Sequence, residues 1–165
     1  MLINHTLETI FDEYAYKYEI HIYKQYPHLL NVNIHCLYYE QYLLLKNVPK
    51  VEFTDNDIFA FSCCHNENNN FIEGFIIYSK FNCNSFNLNK DEFNAALSHE
   101  IGHIIHYFNE TLNDKPDIVL EIKADEVVVH LGLGMPLSNL LHKLIDSNRY
   151  TDYQVQSMKK RIMLL

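Results

Sequence analysis

A chain of 165 residues with 13 Lys and Arg against 21 Asp and Glu carries a formal charge of −8. That length suits one compact domain, 1–165, and the acidic balance argues against a nucleic-acid partner, because phosphate binding is supplied by Lys and Arg. No apolar run reaches the length of a membrane span, and the opening Met-Leu-Ile-Asn-His-Thr lacks a signal peptide's basic and apolar regions; the expectation is a cytoplasmic protein whose four cysteines (Cys36, Cys63, Cys64, Cys83) stay reduced.

In chain order, Leu7, Ile10, Phe11, Tyr14, Tyr18 and Ile22 recur at helical spacing and predict an amphipathic helix over about 5–25 that ends before Pro27. Val32, Ile34, Cys36 and Tyr38 alternate and predict a strand over 32–39. Residues 41–50 fit neither pattern, and Pro49 ends them. A hairpin follows: a strand over 58–64, a polar turn over 65–70, and a long apolar strand over 71–81 that Gly74 interrupts. This strand either offers an edge to which an extended peptide would pair or is an ordinary buried strand. Cys63 and Cys64, followed by His65, read as strand-end residues rather than a metal site, since no Cys-x-x-Cys pair is present.

Asn89 with Glu92 three residues on is an Asn form of the capping box and starts a helix over about 90–108. After a polar loop, Pro116 and Asp117 suit the first turn of the next helix, and Gly132 its stop. Pro136 opens a Leu-rich helix, and Thr151 with Gln154 caps a last one over about 152–164. The order predicts an α+β fold: a small, mostly antiparallel sheet (1–89, with the first helix) packed on the helix from Lys90, then a helical C-terminal half (90–165).

The helix from Lys90 carries His99-Glu100-Ile101-Gly102-His103. Residues i and i+4 share a helix face, so His99 and His103 can present two imidazoles to a single zinc ion (Zn2+). Glu100 stands beside the metal without having to bind it, the position of a general base acting on water. Gly102 is about 1 kcal/mol worse than Ala in mid-helix, which suggests that another backbone or a substrate passes close there. A longer metallopeptidase pattern fails, because His106 stands where it needs glycine and Asn109 where it needs a third histidine.

A catalytic zinc keeps three protein ligands. Glu110, Asp114, Asp117, Glu121, Asp125, Glu126, His106 and His130 are the downstream candidates. Glu121 and Asp125 stand i, i+4 in an otherwise apolar helix, where two like charges are mildly destabilising unless a cation lies between them and the motif helix. Glu121 is therefore assigned to the metal, and Asp125 to a hydrogen bond that fixes the tautomer of a ligand histidine. Glu126 reads as a solvated carboxylate.

These residues resemble a family. His99-Glu100-Ile101-Gly102-His103 followed by Glu121-x-x-Ala124-Asp125 is similar to the gluzincin zinc metallopeptidases, and specifically to the catalytic domain of the HtpX-like and CAAX-prenyl-protease group. Leu131-Gly132, the Leu-rich stretch to Leu144 and the closing Arg161-Ile162-Met163-Leu164-Leu165 extend the likeness over about 90–165. The soluble ImmA/IrrE-type metallopeptidases share His-Glu-x-Gly-His and an acidic third ligand. The resemblance implies His99, His103 and Glu121 as zinc ligands, Glu100 as base and Asp125 as their support. It implies a zinc metalloendopeptidase acting on a peptide or protein substrate. The family's membrane helices are absent, and so is the His-Pro before its closing Arg, whose oxyanion-stabilising role would pass to Tyr153, Tyr150 or Arg161. A zinc-stabilised binding or regulatory module without turnover is the alternative.

Overall fold

The computed structural model describes residues 2–4, 24, 26–27, 32–66, 71–107 and 115–165. The expected helix over 5–25 lies almost wholly outside them, as do residues 67–70 of the hairpin turn. The chain forms two compact units, Met1–Lys80 and Phe81–Leu165. The α+β class and the helical C-terminal half are as expected.

In the first unit, β1 (Leu2–Asn4), β2 (Val32–Tyr38), β3 (Phe59–Asn66) and β4 (Phe71–Tyr78) form one sheet in the order β1-β2-β4-β3. The expectation of a mostly antiparallel sheet needs correcting. Among the described residues only the β3–β4 hairpin is antiparallel, while β1–β2 and β2–β4 are parallel. The connection from β2 to β3 skips one strand position, and β4 returns from the hairpin into that gap. Gly74 does not interrupt β4; it pairs with Ile34 on one side and Cys63 on the other.

β4 is therefore a central strand and offers no edge to a peptide. Its sequence carries the reason. Phe75, Ile76, Ile77 and Tyr78 are consecutive and all buried, and an unbroken apolar run marks a strand covered on both faces. One helical turn, α1 (Tyr39–Tyr42), follows β2. Tyr42 donates its hydroxyl to the Pro49 carbonyl, which folds the ambiguous stretch back so that Val48, Val51 and Phe53 pack against Leu37, Phe75 and Ile77. Adjacent strand residues face opposite ways, so Cys63 and Cys64 cannot turn to one ion. Burial and the neighbouring Cys64 push the Cys63 thiol up to about 12, and both cysteines are free.

The second unit is helical. After α2 (Lys80–Ser85) come α3 (Lys90–Tyr107), α4 (Asp117–His130), α5 (Gly134–Asp146) and α6 (Asp152–Ile162). The caps act as the sequence implied. Asn89 Oδ1 accepts the Glu92 N–H at 2.9 Å, and the Glu92 carboxylate accepts the Asn89 N–H at 2.9 Å. Thr151 and Gln154 make the same exchange at the start of α6. Gly132 at φ +78° stops α4, the left-handed residue a helix end commonly uses.

α3 packs most extensively on α4 and then on α5, while α6 lies against α4 and α5. Thirteen of the residues of α3, from Glu92 to Ile105, are buried, so this helix is the core of its unit. Among the described residues no helix is long and apolar enough to cross a membrane.

Candidate metal centre

The helices carrying the two halves of the motif meet backbone to backbone. A Cβ on Gly102 would lie 2.7 Å from Ala124 Cα and 2.8 Å from the Ala124 carbonyl oxygen, so glycine is what permits this approach. His103 and Asp125 each stand one residue after the crossing point, and His99 and Glu121 each stand three before it. The crossing thereby faces one histidine pair with one carboxylate pair.

Three donor groups converge there. His99 Nε2 and His103 Nε2 are 3.0 Å apart. His103 Nε2 is 3.2 Å from Glu121 Oε1, and His99 Nε2 is 3.3 Å from Glu121 Oε2. A tetrahedral ion with bonds of about 2.0–2.2 Å would hold its donors about 3.3–3.6 Å apart, close to the separations observed. Among the described residues this is the one group of three or more His, Cys, Asp or Glu that could hold a metal ion.

The histidine tautomer follows from its other nitrogen. Asp125 Oδ1 lies 2.8 Å from His99 Nδ1, and an ionised carboxylate only accepts, so Nδ1–H donates and Nε2 turns its lone pair toward the cluster. His103 Nε2 lies 3.0 Å from it, too close for two ring nitrogens unless a proton or a cation sits between them. The donor set thus fits a metal cation.

Electrostatics follow from burial and from these contacts. Burial and the Arg161 charge push His99 down, but hydrogen bonds to Asp125 and Glu121 outweigh them and raise it to about 9. Burial pushes Glu121 up, yet hydrogen bonds from His103 and His99, with the His99 and Arg161 charges, hold its carboxyl well below the usual range. Asp125 is likewise held low, against burial, by His99 and Arg161. Glu100, buried on α3 beside His99, is raised, because burial outweighs the charges of His99, His103 and Arg161.

The sequence-derived candidates are not all brought together. Arg161 is buried, and its fork is committed: Nε donates to Asp125 Oδ2 at 2.7 Å, Nη2 to Asp125 Oδ1 at 2.8 Å, and Nη1 to Glu121 Oε2. It clamps carboxylates instead of facing a substrate oxygen. Tyr153 is 72% exposed and stands eight residues before Arg161, about 12 Å along the helix axis. His106 faces the Lys123 carbonyl at 3.2 Å, and Glu126 pairs with Lys123 at the surface. Glu110 and Asp114 lie outside the described residues.

The clamp is the feature that sequence reasoning misplaced, although a signal for it exists. Val155, Met158 and Ile162 define the inner side of α6, and Arg161 falls on that side. An arginine there requires a buried anion. No family model, no curated protein and no solved structure matches this chain.

Proposed function

We propose that the chain is a zinc-dependent endopeptidase of the gluzincin type, with His99, His103 and Glu121 as metal ligands and Glu100 as general base. The observation that carries this reading is the convergence of three donor atoms from two helices, with Glu100 next to the first histidine. The sequence resemblance to the HtpX-like and ImmA/IrrE-type peptidases supports it. Bound there, a zinc-type ion supplies Lewis-acid polarisation of a carbonyl and makes a water more acidic.

The chain's own residues do the rest. Glu100 takes the proton of the attacking water and passes it to the leaving amine, and its raised pKa brings it nearer the neutral range in which such transfer is efficient. Asp125 keeps the His99 Nε2 lone pair aimed inward. A cytoplasmic setting belongs to the same proposal, supported by the four free cysteines. The test is cleavage of an unfolded protein such as casein, abolished by chelator and restored by zinc. Glu100→Gln should keep stoichiometric zinc and lose hydrolysis; full turnover by that variant refutes the mechanism.

One observation favours a second reading, a zinc-stabilised binding or regulatory module. Arg161 is spent on Glu121 and Asp125 and Tyr153 stands in solvent, so neither is placed as an oxyanion donor. Stoichiometric zinc with no turnover on any unfolded substrate would select this reading.

A further inference from the structure

Glu121 presents its two oxygens to different partners. Oε1 faces His103 Nε2 at 3.2 Å, whereas Oε2 accepts the Arg161 Nη1–H and lies 3.3 Å from His99 Nε2. The same guanidinium is fixed by its two hydrogen bonds to Asp125, and α6 holds it in the buried interior of the helical unit. It therefore cannot swing away from Oε2 without taking both guanidinium hydrogen bonds from buried Asp125, which would keep only the one from His99. A carboxylate binds a cation through one oxygen or through both. An oxygen already bonded to a guanidinium has given up one lone pair, and it faces a fixed positive charge that opposes a second cation on the same atom.

Resting on the metal-site reading above, we propose that Arg161 is a positioning residue that reserves Glu121 Oε2 and leaves Oε1 alone for the cation. The protein then contributes three donor atoms, His99 Nε2, His103 Nε2 and Glu121 Oε1, and a position on the ion stays open to an outside ligand. Without the clamp, Glu121 would bind the ion with both oxygens and raise its coordination, with the outside ligand in place, from four to five. Arg161 thus decides whether the same three residues make a four-coordinate site or a five-coordinate one.

Cobalt(II) is a suitable probe, since its visible bands are intense in four-coordinate tetrahedral sites and weak at higher coordination. The full-length chain with one cobalt should show intense bands, and Arg161→Lys should lose much of that intensity, because one ammonium cannot serve both carboxylates. Lys143→Met, on α5 and outside the cluster, should leave the bands unchanged. Unchanged bands in Arg161→Lys, or weak bands in the unsubstituted chain, overturn the inference and leave the metal site standing. A chain that binds no cobalt overturns the site and the inference together. Should the lysine variant not fold, X-ray absorption of the zinc-loaded, unsubstituted protein reads the coordination number; four bound nitrogen and oxygen atoms are expected, and five would refute the proposal.

Discussion

Arg161 grips Asp125 with two parallel hydrogen bonds, of 2.7 and 2.8 Å, across 36 residues of chain. Both side chains are buried, and a buried fork of this kind loses far more when one partner is removed than when it is never built. Asp125→Ala should destabilise the metal-free protein by about 3–5 kcal/mol, because it strips a buried guanidinium of two of its three hydrogen bonds to carboxylates. Urea unfolding checks this, and a loss below about 1 kcal/mol would mean that the pair is solvated in solution.

Gly102→Ala should act against its helix propensity. Alanine favours a helix by about 1 kcal/mol over glycine, but the added methyl would sit 2.7 Å from the Ala124 backbone. Overpacking of this kind costs about 1–3 kcal/mol, so a net loss of stability is expected. Because the crossing also sets the distance between the histidines and Glu121, zinc affinity should fall with it. Calorimetric titration with zinc tests the second half, and affinity equal to that of the unsubstituted chain would show that the ligands do not depend on this contact.

Metal-free protein should show a stability maximum at mildly acidic pH. His99 rises from an ordinary 6.5 to about 9 in the folded state. Its contribution is therefore fully present below about 6.5 and lost as pH rises through about 9, on the order of 3 kcal/mol. Asp125 and Glu121 are held below their ordinary 3.8 and 4.5, so their contribution is present above those values and lost as pH falls. Thermal melts of chelator-treated protein between pH 3 and 10 should peak between about 4.5 and 6.5. Melting temperatures that keep rising to pH 9 would contradict the His99–Asp125 contact.

Lys143 donates to Glu92 at 2.6 Å and to the Asn87 carbonyl at 2.9 Å, holding the first turn of α3 from α5. The Glu92 side chain is only 3% exposed while Lys143 is 35% exposed, so removing the lysine leaves a buried carboxylate behind. Lys143→Met should lose about 1–3 kcal/mol with zinc stoichiometry unchanged, measured by urea unfolding beside elemental analysis. A stoichiometric loss of zinc would extend the centre to this end of the helix.

What the sequence makes legible is whatever is local. Asn89 with Glu92 and Thr151 with Gln154 mark helix starts because a cap and its partner lie three residues apart. His99 with His103, and Glu121 with Asp125, are visible as pairs because one helical turn separates them. What pairs across distance is not. β4 lies between β2 and β3 because it returns into a gap left by an earlier connection, which no alternation pattern records. Arg161 chooses Asp125 and Glu121 over a substrate because α6 packs on α4, a choice made by the shapes of two helices far apart in sequence.

The burial of thirteen of the eighteen residues of α3 has a consequence for how this protein can vary. A helix buried over most of its length leaves little room for drift around the histidines, since most replacements there disturb packing before they change chemistry. Glu121 keeps 30% of its side chain in solvent, and α6 reaches the centre through one residue. Diversification among close descendants of this chain would therefore concentrate on α4 and α6, with the histidine helix inherited nearly intact.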